Sequence, residues 1–183
     1  MNMGMLQGIK KLFESYRPAP QIDWKDYALY RDAAKLIKHF EGYRPHIYDD
    51  ATGKPIGRLA SGGNVTIGYG FNLSANDLPQ EMSEQLLQIE LQNAVKDCRA
   101  MAKFFDDLSH PRKLVYVDMM YNMGLPRFLR FKEMHRYANL GRFELVLREM
   151  KDSAWFNQVG KRRTGPLMHM MQFNELAPEV FGK

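Results

Sequence analysis

Residues 41–72 read EGYRPHIYDDATGKPIGRLASGGNVTIGYGFN. Glu41-Gly42 closes one pattern, because glycine is the natural residue just past a helix end and Pro45 stops any continuation. His46-Ile47-Tyr48 then opens another, a short β-branched and aromatic run. Asp50 stands where that run gives way to the Ala51-Thr52-Gly53 turn. Val65-Thr66-Ile67-Gly68-Tyr69-Gly70 returns to strand chemistry punctuated by glycines. Strands are expected at His46–Tyr48 and Asn64–Tyr69, with a third at Ile56–Ala60. A helix that ends in a carboxyl group and runs into a small β-lobe with a second carboxyl group is a chemically suggestive layout. Glycosidic bond hydrolysis needs one carboxyl to give a proton to the leaving oxygen, and another to activate water or stabilise the sugar cation. A carboxyl at a helix C-terminus meets the negative end of the macrodipole, which favours holding a proton. Taken singly, Glu41 is also an ordinary exposed helix-end residue and Asp50 an ordinary turn residue.

Working outward, the helix before Glu41 starts at a cap, Asp23 or Asp26. Tyr27, Tyr30, Ala34, Ile37 and Phe40 trace its apolar side, widened by Ala33 and Leu36. Upstream, Met5, Ile9, Leu12 and Phe13 share helical spacing, and Arg17-Pro18-Ala19-Pro20 breaks it. Residues 1–22 are therefore expected to be an arm and linker, and 23–183 one domain. The first residues carry Lys10, Lys11 and Glu14 and lack the apolar core of a secretory leader. Downstream, residues 82–101 have a wide apolar face suited to a helix joining two lobes. Ser109 with Pro111 starts a helix apolar nearly all round, in which Asp118 needs a partner or a watery edge. Gly124 and Pro126 end it. Residues 127–140 and 142–151 read as a helical hairpin broken at Gly141, and Ser153 as the cap of a helix holding Trp155 and Phe156.

Composition bounds the remaining choices. The chain has 183 residues, 45% apolar and 26% charged, ordinary for one globular domain. The formal net charge of +5 favours an anionic partner, such as nucleic acid, anionic lipid or an acidic wall polymer. Cys98 alone allows no internal disulfide and reads as a buried thiol. Five histidines show no metal-ligand spacing, and no phosphate-cradling glycine loop is present. The basic clusters Arg127, Arg130, Lys132, Arg136 and Lys161, Arg162, Arg163 would suit DNA or an anionic glycan. A non-catalytic basic helical protein that binds nucleic acid or wall glycan is thus the alternative.

The motifs Glu41-Gly42, Tyr48-Asp49-Asp50 and Thr66-Ile67-Gly68-Tyr69-Gly70 resemble the bacteriophage-type lysozymes, glycoside hydrolase family 24. Eight residues separate Glu41 from Asp50, as in the family pattern. Residues 118–131, DMMYNMGLPRFLRF, resemble its central helix, and 152–164, DSAWFNQVGKRRT, its Ser-x-Trp and Gln-Val-Gly-x-Arg segment. The likeness spans about residues 32–175. It implies an α+β, mainly helical, lysozyme-like fold with a small β-lobe (about 46–73) and a larger helical lobe (about 82–175) flanking a cleft. It implies a muramidase in which Glu41 is the general acid, Asp50 the second carboxylate and Thr66 the hydroxyl that helps hold the water. Asn122 then lines the sugar cleft, and Arg162 pairs with Glu41. The implied partner is peptidoglycan, met in the periplasm or cell wall by a monomer made in a bacterial host, with no cofactor, metal, nucleic acid or membrane-spanning segment. Two departures stand out. Fifteen residues lie between Asp50 and Thr66, more than in the shortest members, and Phe71 takes a position where many members carry histidine.

Overall fold

The computed structural model describes residues 24–48, 52, 54–56 and 62–182. The N-terminal arm, the cap candidate Asp23, both aspartates at 49 and 50, and most of the expected Ile56–Ala60 strand lie outside the described residues. What is described is the mainly helical α+β architecture that the resemblance implies.

A 3-10 turn, Trp24–Asp26, leads into α1, Tyr27–Glu41. Asp26 stands at the N-cap position without capping the helix. Its carboxylate instead receives both Nη groups of Arg99, each at 2.8 Å. The buried face of α1 is Leu29, Tyr30, Ala33, Ala34, Leu36 and Ile37, a rotation of the expected stripe that leaves Tyr27 outside. Asp32 is also buried, and Arg31 Nε and His110 Nε2 each lie 2.7 Å from its carboxylate. Burial opposes ionisation there, but those two bonds hold the carboxyl below its usual range.

Among the described residues the β-lobe holds one bridge and one short hairpin. Tyr48 forms a single bridge with Pro55, and the Ile56 amide donates to the Ile47 carbonyl. Thr66–Ile67 (β1) pairs antiparallel with Phe71–Asn72 (β2), in register Thr66↔Asn72 and Ile67↔Phe71. The expected Asn64–Tyr69 strand is therefore half a hairpin, because Gly68-Tyr69-Gly70 reverses the chain. β-propensity marked the residues correctly, but the glycines turn the run back on itself. The lobe is tied at its base, where the Leu78 amide donates to the Pro45 carbonyl and the Tyr43 hydroxyl to the Leu78 carbonyl.

The 22-residue helix α2, Gln80–Met101, buries Leu91, Ala94, Val95 and Cys98 only in its second half. Its first half leads away from the lobe base. Helix α3, His110–Met123, is the centre of the core and packs against both α1 and α2. Leu114, Val115, Tyr116, Val117 and Met119 are fully buried, as an all-round apolar helix requires. Each such aliphatic side chain contributes roughly 1.5–3 kcal/mol of burial. Short helices follow: α4, Leu125–Phe128; α5, Lys132–Asn139; α6, Phe143–Lys151. Helix α7, Ala154–Phe173, begins on a real cap, with Ser153 Oγ accepting from the Phe156 amide at 3.2 Å. It kinks at Gly160, whose φ of 72° and ψ of 171° are not helical. Helix α8, Pro178–Phe181, packs back on α1.

Gly42 sets where Glu41 points. Its φ is 71° and its ψ 175°, a backbone region that residues with a Cβ hardly enter. A Cβ built there meets nothing within 4 Å, so any penalty comes from the backbone alone. Gly42→Ala is expected to lower stability by about 1–3 kcal/mol in urea denaturation. A cost near zero would show that the chain leaves α1 by another path.

Candidate active site

Glu41 is the last residue of α1, so its side chain projects where the helix meets the β-lobe. It lines a 400 Å³ cavity together with Tyr43, Arg44, Tyr48, Tyr121 and Asn122. Four origins meet there: the C-terminus of α1, the segment leading into the β-lobe, the first turn of α2 through Ser83, and the last turn of α3. Glu41 also lines a smaller 210 Å³ recess with Ile37, Ser83 and Leu87 among others. The Glu41 side chain is 45% exposed.

One arginine holds it. Arg163 Nη2 donates to Glu41 Oε1 at 2.6 Å. Arg163 is only 9% exposed, its guanidinium carbon lies 4.9 Å from the centre of the Phe40 ring, and its Nε lies 3.3 Å from Asp118 Oδ2. Asp118 is fully buried on α3. Burial pushes its carboxyl up to about 7; Arg163 pulls the other way, and the charge of Glu41 adds to the rise.

This corrects the expectation for Arg162. That side chain points elsewhere, and its Nη2 donates to the His39 carbonyl at 2.6 Å, in the last turn of α1. The two arginines are adjacent in sequence and lie just past the non-helical Gly160 of α7, and it is the second of them whose guanidinium reaches Glu41. Both arginines still serve the same helix end, one on its side chain and one on its backbone. The positive charge of Arg162 beside a terminal carbonyl is favourable to the helix dipole.

Asn122 lies at the end of α3 and lines the Glu41 cavity. Trp155 Nε1 donates to its Oδ1 at 2.8 Å. An indole N–H can only donate, so the oxygen must face the ring, and the amide N–H₂ is left for another acceptor. Asn122 also lines a 690 Å³ cavity in the helical lobe, bounded by Arg127, Arg130, Phe131 and Trp155. That larger cavity shares Asn122 but not Glu41. Thr66 is exposed in β1, and among the described residues its hydroxyl donates to the Asn64 carbonyl, at 3.5 Å. It is not among the residues that line the two cavities holding Glu41. Asp50 lies outside the described residues.

From the sequence, Asp118 is a polar residue in need of a partner, a single charge in an otherwise apolar run one turn before Asn122. Tyr48 and Tyr121 carry no comparable signal. Nothing in the pattern of the tyrosines distinguishes lining a cavity from packing in the core.

The two arginines separate experimentally. Arg163→Gln leaves Asp118 without its counter-charge and is expected to cost about 3–5 kcal/mol in thermal denaturation. Arg162→Gln removes one exposed bond to a backbone carbonyl and is expected to cost about 1 kcal/mol or less. A reversed order would restore Arg162 as the partner of Glu41.

A family profile described as phage lysozyme matches residues 38–169. The match takes in Glu41, Thr66, Asn122, Asp118 and both arginines. No curated protein matches the chain. Among the described residues no helix is long and apolar enough to cross a membrane. With most of its length inside that match, and a helix-end glutamate gripped by arginine between two lobes, the chain belongs to the phage lysozyme family.

Proposed function

We propose that the chain is a muramidase that cleaves the β-1,4 bond between N-acetylmuramic acid and N-acetylglucosamine in peptidoglycan. The observation that carries this reading is Glu41 at the end of α1, held by Arg163 at the edge of a cavity that also holds Asn122. In the proposed reaction Glu41 gives its proton to the glycosidic oxygen as the bond to the sugar C1 breaks. A water attacks C1 from the opposite face, and Asp50 takes its proton. Thr66 helps hold that water. Asn122 offers its amide N–H₂ to an acetamido or hydroxyl oxygen of the glycan, because its oxygen is already engaged by Trp155. Tyr43, Tyr48 and Tyr121 supply flat surfaces against which sugar rings can rest. The net charge of +5 favours approach to an anionic wall. The protein acts as a monomer, on the cell wall or in the periplasm.

Purified cell walls test the reading. Glu41→Gln keeps the fold but cannot donate a proton, and clearing is expected to fall by about 10²-fold or more. Asp50→Asn is expected to be severe and Asp49→Asn mild. A folded Glu41→Gln protein that clears walls at the wild-type rate removes Glu41 from the reaction. Stereochemistry tests the water-mediated route. Inverting enzymes leave room for a water between carboxyls about 6.5–9.5 Å apart, whereas retaining ones form a glycosyl-enzyme across about 5–5.5 Å. Proton NMR of the fresh reducing end is expected to show the α-anomer first. An initial β-anomer would make Asp50 a nucleophile.

Residues 1–22 are proposed to be an arm outside the catalytic domain, which spans 23–183. A chain starting near Gln21 is expected to fold and to cleave soluble glycan. Insolubility or a lost thermal transition in that shortened chain would show that the arm belongs to the folded body.

A further inference from the structure

The pairing of Asp118 with Arg163 is poorly explained as a stabilising contact. Asp118 lies fully buried in a helix whose neighbouring side chains are apolar. Among the described residues neither of its carboxylate oxygens receives an aligned hydrogen bond, and the 3.3 Å approach of Arg163 Nε is an ion pair without one. A buried ion pair with unsatisfied oxygens contributes little net stability, because desolvation offsets the Coulomb attraction. An apolar residue or a serine would sit there at less cost.

The geometry gives the aspartate a different use. Arg163 meets one carboxyl group through Nε and another through Nη2, so its guanidinium lies between Asp118 and Glu41. One cation shared by two carboxyl groups is charge-balanced when the pair keeps one proton. A general acid needs that proton. An arginine with no other partner would direct its whole charge at Glu41 and favour the carboxylate over the acid.

Resting on the hydrolase reading of Glu41, we propose that Asp118 is a positioning residue for the reaction: it fixes the guanidinium of Arg163 and takes up part of its charge, so that Glu41 is held in place and still keeps a proton to give. The charge of Glu41 reaches Asp118 and pushes its carboxyl upward. The other charged and titratable groups around them come from every packed element: Lys38, paired with Glu84, on α1 and α2; Glu90 on α2; Tyr121 on α3; Arg162 on α7; Arg44 and Tyr48 from the β-lobe side. All are unchanged in the variant that tests the idea.

That variant is Asp118→Asn, which keeps the shape and removes the charge. Its kcat and KM on soluble peptidoglycan fragments are to be measured across pH beside the wild type and Glu41→Gln. The alkaline limb of the kcat profile is expected to move to lower pH by about one unit, with KM unchanged. Activity then falls about tenfold on that limb and recovers on acidification. An unchanged profile, or a loss of equal size at every pH, overturns the proposal. Carbon-13 NMR of the Asp118 carboxyl decides the matter if Asp118→Asn does not fold. Its titration midpoint is expected to drop in Glu41→Gln relative to wild type, and an unchanged midpoint overturns the coupling. An inactive wild type, or an active folded Glu41→Gln, would sink the hydrolase reading instead, and the NMR comparison would still judge the coupling by itself.

Discussion

The guanidinium of Arg163 joins the parts of this molecule that matter for chemistry. It comes from the second half of α7, reaches the end of α1 through Glu41, and reaches the centre of α3 through Asp118. Phe40 lies against it. Three helices distant in sequence therefore meet on one planar cation. Arginine suits that place, because its fork can engage two carboxyl groups in different directions while staying charged when buried. A lysine ammonium would offer no such plane and would lose its charge more readily in the same surroundings.

Backbone breaks supply the directions that this meeting needs. Gly42 stops α1 at Glu41, and Gly160 interrupts α7 three residues before Arg163. Both have φ near 70°, at the margin of what a side chain tolerates. The rest of the core does ordinary work around them. Helix α3 is buried on all sides by α1, α2 and α7, and so carries Asp118 and Asn122 at fixed depths. Among the described residues the β-lobe holds one short hairpin and one bridge, with Ile67, Tyr69 and Phe71 exposed. Hydrogen bonds between residues 43–45 and Leu78 tie its base.

Asn122 occupies a second junction. It belongs to the cavity of Glu41 and to the larger one beneath Trp155, and the indole fixes which end of its amide is free. The basic residues Arg127 and Arg130 border the larger cavity.

Local rules were enough to find most elements in the sequence. The end of α1 at Glu41, the all-round apolar α3, the Ser153 cap and the junction between the lobes all follow from glycine, proline, cap chemistry and apolar periodicity, which act within a few residues. Glu41, Asp50 and Thr66 lie in one stretch of chain, which is why a resemblance could be read there. Three things were decided only by tertiary structure. The reversal at Gly68-Tyr69-Gly70 made a hairpin of an apparent strand, since a glycine between β-formers marks a bend only once a partner strand is chosen. Which of two adjacent arginines meets Glu41 was settled by the fold, where Arg163 reaches the carboxylate and Arg162 the His39 carbonyl, because neighbours on a helix point in different directions. Asp118 gained its meaning from a cation 45 positions away, and a buried charge is intelligible only when its partner has been brought to it.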